Sequence, residues 1–210
     1  MKRITEGQDN FFFEPENAGK YLEEVKKGTG ARFRNFLSTL NTLDVRGRYL
    51  DVGCGPGILT QEVAVRRPDA EITGIDISPE MIKLADNELA TELSGRIRFK
   101  TADACNTETM NDLGTFDLIF STFTMHHWNE PALPLRNLFA ILNPGGFLYI
   151  YDLKRVAWLY YLGSKGGFMQ SIRASFTRKE IRMIMEQAGI SDYSLKTLFP
   201  FFMQSLLVRK

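Results

Sequence analysis

The 210-residue sequence predicts a doubly wound α/β fold, a mostly parallel, seven-stranded sheet with helices on both faces. Three observations carry this reading. An apolar run, Leu50-Asp51-Val52, ends in the turn Gly53-Cys54-Gly55-Pro56-Gly57, and Asp76 follows nineteen positions after the last glycine, at the end of a second apolar run. From Tyr49 to Asp152 short apolar runs alternate with helical stretches, as parallel strands joined by crossover helices do. Two β-rich runs close the chain, Tyr193 to Leu198 and Phe202 to Val208, with Pro200 in the turn between them.

Ala18 to Leu43 is helical in pattern. Tyr21, Leu22 and Val25, then Phe33, Phe36, Leu37 and Leu40, recur at three and four, and Gly28-Thr29-Gly30 is expected to divide the stretch into two short helices. After the second strand, Ser78 caps a helix whose first residue is Pro79, where a missing N–H costs nothing. Met81, Ile82, Leu84, Ala85 and Leu89 supply its apolar stripe. Ile97 to Thr101, Phe116 to Ser121 and Phe147 to Tyr151 read as the third, fourth and fifth strands. The fifth is introduced by Leu142-Asn143-Pro144-Gly145-Gly146 and ends at Asp152. Thr177 to Glu180 forms a capping box, Ile181, Ile184 and Met185 an apolar face, and Gly189 a C-terminal stop. The chain then divides into a helical cap (1–45), a ligand-binding core (46–152), an insertion (153–176) and a helix with two strands (177–210) that completes the same domain.

Alternate glycines after a strand let the backbone turn sharply and approach a ligand where a Cβ would obstruct it. Ile58 stands where a dinucleotide fingerprint needs its third glycine, and Ile58-Leu59-Thr60 lacks the lysine of a phosphate-cradling loop. A ligand without phosphates fits better. Asp76 can accept hydrogen bonds from both hydroxyls of a ribose, so an adenosine with a free ribose is implied.

Composition bounds the remaining classes. With 44% hydrophobic and 24% charged residues, 210 residues suffice for one well-buried core. No run of about 18 apolar residues exists, and Met1 to Glu6 is not followed by an apolar signal region, so the cytoplasm is the expected location. Two cysteines, Cys54 and Cys105, are too few for a structural zinc or iron–sulfur cluster, and no metal is expected. A net charge of +1 gives no footprint for nucleic acid. Oligomeric state is left open.

In order and spacing these segments resemble the class I S-adenosylmethionine-dependent methyltransferases, whose fold is Rossmann-like. Phe116-Asp117-Leu118-Ile119-Phe120-Ser121 through His126-His127-Trp128 looks most like their small-molecule members, of the ubiquinone/menaquinone type. The resemblance spans roughly Tyr49 to Asp152 and, more loosely, the tail after Phe176. It implies an antiparallel last strand and S-adenosylmethionine as cofactor. Carried over residue by residue, Asp51, Gly53, Cys54, Gly55 and Gly57 would surround the methionine part and Asp76 the ribose. Ile77 would pack on the adenine, unless it is simply buried in the core. Asp103 and Ala104 would meet the adenine edge, and Ser121 to Phe123 would lie near the sulfonium.

The acceptor implied is a small, apolar or aromatic molecule, methylated by in-line displacement that depends mainly on positioning. Some acceptors need a base, and the chain's two histidines, His126 and His127, are the candidates; being adjacent, at most one faces the substrate. Phe11-Phe12-Phe13 with Tyr21, and the insertion 153–176 with Trp158, Tyr160, Tyr161, Phe168, Lys154, Arg155, Lys165 and Arg173, are expected to form an aromatic, basic lid. The same mixture could touch a membrane surface, although no long amphipathic stripe supports that. Ser121-Thr122-Phe123-Thr124 lacks the Pro-Pro-aromatic signature of amino-group nucleic-acid methyltransferases, and Asn129-Glu130 lacks the paired glutamates of protein-arginine enzymes. Two other readings compete: a regulatory or scaffold protein that binds S-adenosylmethionine without catalysis, and an oxidoreductase, against which Ile58 stands.

Overall fold

The computed structural model describes residues 1–4, 15–162 and 167–210. Its sheet has seven strands: β1 (Arg48–Val52), β2 (Glu71–Asp76), β3 (Ile97–Thr101), β4 (Phe116–Thr122), β5 (Leu142–Leu153), β6 (Tyr193–Leu198) and β7 (Met203–Arg209), in the order β3-β2-β1-β4-β5-β7-β6. β1 to β5 pair in parallel, and β7 is antiparallel to both β5 and β6. Strand order reverses between β1 and β4, which places a crevice at their carboxyl ends.

The helices are α1 (Pro15–Arg32), α2 (Arg34–Thr42), α3 (Ile58–Arg66), α4 (Pro79–Asn87), α5 (Thr107–Asp112), α6 (Ala132–Ala140), α7 (Ala157–Tyr160), α8 (Gly167–Ala174) and α9 (Arg178–Ala188). Two buried clusters lie on opposite faces of the sheet. Phe36, Leu40 and Val63 of α2 and α3 pack with Leu118, Phe120, Tyr149 and Tyr151. Met110, Leu135, Leu138, Ile181 and Met185 of α5, α6 and α9 pack with Ile119, Leu148 and Ile150. Side chains alternate along a strand, so Phe116 should share a face with Leu118. It lies instead with Ile119, because the register of β4 against β5 shifts between Phe116 and Leu118. Such a bulge turns the preceding residue to the other face.

Ser78 accepts from the amide of Met81 with Pro79 at the first helical position, and Thr177 and Glu180 make a reciprocal capping box closed by Gly189 at φ 74°. The break expected at Gly28-Thr29-Gly30 is not there. α1 runs through the glycines to Arg32, and the chain turns at Phe33 (φ −102°, ψ 4°). Two glycines weaken a helix by about 1 kcal/mol each, but tertiary contacts oppose this: Lys26 pairs with Glu88 beyond α4 at 2.7 Å, and the turn inserts Phe33 and Phe36 into the core. β5 begins five residues earlier than expected, since Leu142 pairs with Phe116.

The described basic residues of the insertion bind the protein's own polar groups rather than forming a solvated face. Arg155, 3% exposed, donates to the Ser175 carbonyl and pairs with Glu180. Arg173 donates to the carbonyls of Tyr160 and Leu162, and Lys154 to the Thr197 hydroxyl. Trp158, Tyr161 and Phe168 are exposed, with Trp158 and Phe168 flanking Phe202 at 6.2 and 5.5 Å. Phe11-Phe12-Phe13, Gly163, Lys165 and Gly166 lie outside the described residues. Among the described residues no helix is long and apolar enough to cross a membrane.

Candidate active site

β1 delivers Asp51 and Val52 to the crevice, and the turn that follows is fastened to β2: the amides of Gly53 and Cys54 both donate to the Ile75 carbonyl, at 2.8 and 3.0 Å. Gly53 sits at φ +73°, and a Cβ there would come within 2.2 Å of the Thr124 hydroxyl. Gly57, also at φ +73°, would drive a Cβ to 2.6 Å from the Phe99 ring. Only glycine meets both demands, positive φ and close approach. The turn, Asp51, Tyr21, Phe33, Leu59, Thr122 and Phe123 line a small pocket with a cavity volume of ≈ 30 Å³.

Asp76 ends β2 and braces the turn. Its Oδ2 accepts from the Gly55 amide at 2.9 Å and its Oδ1 from the Ser78 amide at 3.0 Å. Each carboxylate oxygen has a second lone-pair site, so both can still accept from a diol. Burial raises the Asp76 pKa, and the Ser78 and Gly55 amides oppose that rise. Asp51 is 1% exposed, and its Oδ2 accepts from the Thr60 hydroxyl at 2.7 Å. Burial pushes its pKa up to about 7; the Thr60 bond counteracts this and the Asp76 charge adds to it. Among the described residues no cation pairs with Asp51. A buried acid at a ligand pocket without a cation suits a ligand that brings its own positive charge.

The other sequence candidates divide between the pocket and the scaffold. Ile77 is 52% exposed, so the alternative of core burial does not hold. Asp103 accepts from the Cys105 amide at 2.8 Å in a short loop after β3. Ala104 is buried and its carbonyl accepts from the Asn137 side chain, while Ser121, fully buried, donates to the Val52 carbonyl and ties β4 to β1. Burial and the charges of Asp51 and Asp76 push the Cys54 thiol well above its usual range. Burial and Asp103 raise Cys105 to about 11. Neither supplies a thiolate at neutral pH.

β4 and β5 end side by side, and there the two histidines part. His126 is 3% exposed; its Nδ1 lies 2.7 Å from Asp152 Oδ1, and its amide donates to Asp152 Oδ2 at 2.9 Å. A carboxylate only accepts, so the contact assigns a proton to Nδ1. His127 is exposed and its ring lies 4.1 Å from that of His126. The turn bearing both is clamped by Arg3, which donates to the carbonyls of His126, Trp128 and Ala174 and lies 4.2 Å over Phe176. Beside it, Phe123 adopts φ 54°, the one positive φ outside glycine among the described residues. Its ring meets Phe33 and Tyr151 edge-on at 5.7 and 5.6 Å.

A model of the methyltransferase domain matches residues 43–192. The chain belongs to this methyltransferase family. It is of the class I S-adenosylmethionine-dependent type, with the sheet order and antiparallel last strand described above. A ubiquinone biosynthesis O-methyltransferase of Xanthomonas oryzae pv. oryzae is 32% identical over 126 residues, 59% of this chain and 51% of that protein. A trans-aconitate 2-methyltransferase of Methylobacterium radiotolerans is 38% identical over 101 residues, 48% and 36% of the two chains. The chain thus spans about half the length, or less, of these curated relatives. Among solved structures, human N-acetylserotonin methyltransferase with S-adenosylmethionine superposes at TM-score 0.73, with 20% identity over 95% of this chain and 57% of that one. A plantazolicin methyltransferase, BpumL, with a substrate analogue and S-adenosylhomocysteine superposes at 0.71, with 18% identity over 96% and 93%. S-adenosylmethionine is this methyltransferase family's cofactor, and the residues present fit it: Asp76 has acceptor capacity left for a diol, Asp51 is a buried acid with no cation paired to it among the described residues, and three glycines at positive φ keep the turn between them open to close approach.

Three residues that contact the candidate side chains or the aromatic wall escaped sequence reasoning. Thr60 carried a faint signal as a hydroxyl on the first turn of the helix after the glycines. Asp152 was legible only as a strand end. Arg32 gave no signal, since the expected break at the glycines separated it from the core.

Proposed function

We propose that the protein transfers a methyl group from S-adenosylmethionine to a small aromatic acceptor by in-line displacement. The observation that carries this reading is the aromatic wall of Phe33, Phe123 and Tyr151 standing where β4 and β5 end, next to the turn that would hold the cofactor. Bound S-adenosylmethionine supplies an electrophilic methyl on a sulfonium. The chain's part is to hold the acceptor in line, exclude water and take up a proton when the acceptor is a hydroxyl.

Asp76 binds the ribose in this reading, with Asp103 and the exposed Ile77 at the adenine and Asp51 facing the cationic amino-acid end. Ser121, Ala104 and Cys54 serve by shaping the turn and strand ends. Of the two histidines, His126 is the base: Asp152 fixes its tautomer and stabilises the imidazolium that forms when Nε2 accepts the acceptor's proton, which then passes to solvent. Phe123, held in a strained conformation, fixes the wall against which the acceptor lies.

Methyl transfer from labelled S-adenosylmethionine to a panel of phenols, with His126→Ala and Asp152→Asn as variants, tests this. Both variants should lower kcat by about 100-fold or more, as loss of a general base does, while S-adenosylhomocysteine affinity stays within about threefold. Full turnover in His126→Ala removes the base. Cofactor binding with no transfer across the panel favours a protein that binds S-adenosylmethionine without catalysis.

A further inference from the structure

We propose that Arg32 is the anion-recognising residue of the acceptor site, which takes a planar aromatic carboxylate. The inference rests on the methyltransferase reading above and adds the substrate's charge. Arg32 ends α1, and its guanidinium lies 4.1 Å over the face of Phe123 and 5.8 Å from Phe33. Its main chain is fixed from the other side, where the Tyr151 hydroxyl donates to the Arg32 carbonyl at 3.3 Å. Among the described residues its side chain forms no ion pair and no hydrogen bond.

A guanidinium stacked on a ring uses its face for that contact and keeps its in-plane N–H donors free, the geometry that grips a carboxylate through two parallel bonds. The ring beneath is itself immobilised, since Phe123 sits at φ 54° between Phe33 and Tyr151. A planar acceptor resting on that wall would present its charged edge to Arg32. The basic residues of the insertion are poorer candidates, because Arg155 and Arg173 are committed to main-chain carbonyls and Lys154 to Thr197.

The test compares binding of 3,4-dihydroxybenzoate with that of its neutral amide, in the presence of saturating S-adenosylhomocysteine, to wild type, Arg32→Gln and Arg32→Lys. The carboxylate should bind wild type about tenfold or more tighter than the amide. Arg32→Gln should erase that ratio with the thermal midpoint unchanged, and Arg32→Lys should keep part of it. A purely packing role for Arg32 would weaken both ligands equally in Arg32→Gln, and that outcome overturns the proposal. So does an equal affinity of wild type for the two, or binding of neither. Failure to bind S-adenosylhomocysteine would instead refute the methyltransferase reading itself.

Discussion

Asp51 offers a measurable proton. Its carboxyl, buried under the glycine turn with Thr60 as its hydrogen-bond donor, ionises near pH 7. At pH 6 it is therefore about nine-tenths protonated, and at pH 7 about half. A ligand that places an ammonium beside it stabilises the ionised form and must expel that proton. S-adenosylhomocysteine keeps the ammonium and cannot react, so its binding should release about 0.9 proton at pH 6 and about 0.5 at pH 7. Affinity should rise about fivefold between those values, close to 1 kcal/mol. The comparison is kept at pH 7 and below, where the ligand's own α-amino group stays protonated. Calorimetry in two buffers of different ionisation enthalpy counts the protons. Asp51→Asn should abolish most of the release while retaining the Thr60 bond; any remainder belongs to Asp76, whose pKa is also raised. Equal proton release by wild type and Asp51→Asn would refute the placement of the cofactor's cationic end at Asp51. The same group makes a stability statement of definite sign. A carboxyl ionising near 7 folded and near 3.8 unfolded contributes fully below about pH 4 and loses that contribution as pH rises to 7, on the order of 4 kcal/mol. The ligand-free protein should flatten in its pH–stability profile over that range in Asp51→Asn.

Gly53→Ala should combine strain from φ +73° with a Cβ 2.2 Å from Thr124, costing about 1–3 kcal/mol and eliminating S-adenosylhomocysteine binding; a thermal melt with calorimetry checks both. Glu180→Gln should cost about 3 kcal/mol because it leaves Arg155 buried without a counter-charge, read by urea unfolding. Burial disfavours the Glu180 charge, but the Thr177 amide and hydroxyl and Arg155 outweigh it and lower the pKa, so its stabilisation is present above the unfolded value and fades on acidification, opposite in sign to Asp51. The profile of Glu180→Gln should therefore differ from wild type least at acid pH. Arg3→Ala removes three bonds to carbonyls around the histidine turn and should lower kcat more than it weakens cofactor binding.

The glycine turn and the acid that braces it were legible because their geometry is local. A glycine at positive φ, an acid ending the next strand and a Ser-Pro cap each have a backbone reason that a few neighbouring residues express, and the positions of Gly53, Asp76 and Ser78 follow from it. Hydrophobic alternation likewise located the strands, failing where it must: the bulge at Asp117 shifts register without any change in composition, so Phe116 lies on the face that alternation denies it.

The aromatic wall and the histidine pair, the proposed acceptor half, are a matter of chain geometry at long range, which no local pattern encodes. Arg32 and Phe123 meet across 91 positions and His126 and Asp152 across 26. The first meeting depends on α1 continuing through Gly28 and Gly30, against their intrinsic propensity, until the turn at Phe33. Had the helix ended at the glycines, Arg32 would lie in a connecting loop and the face of Phe123 would be uncovered. The same unfavourable residues that hide the helix from a sequence reading therefore decide where Arg32 stands on the aromatic wall, and the charge recognition proposed for it would follow from tertiary packing of α1 rather than from any motif.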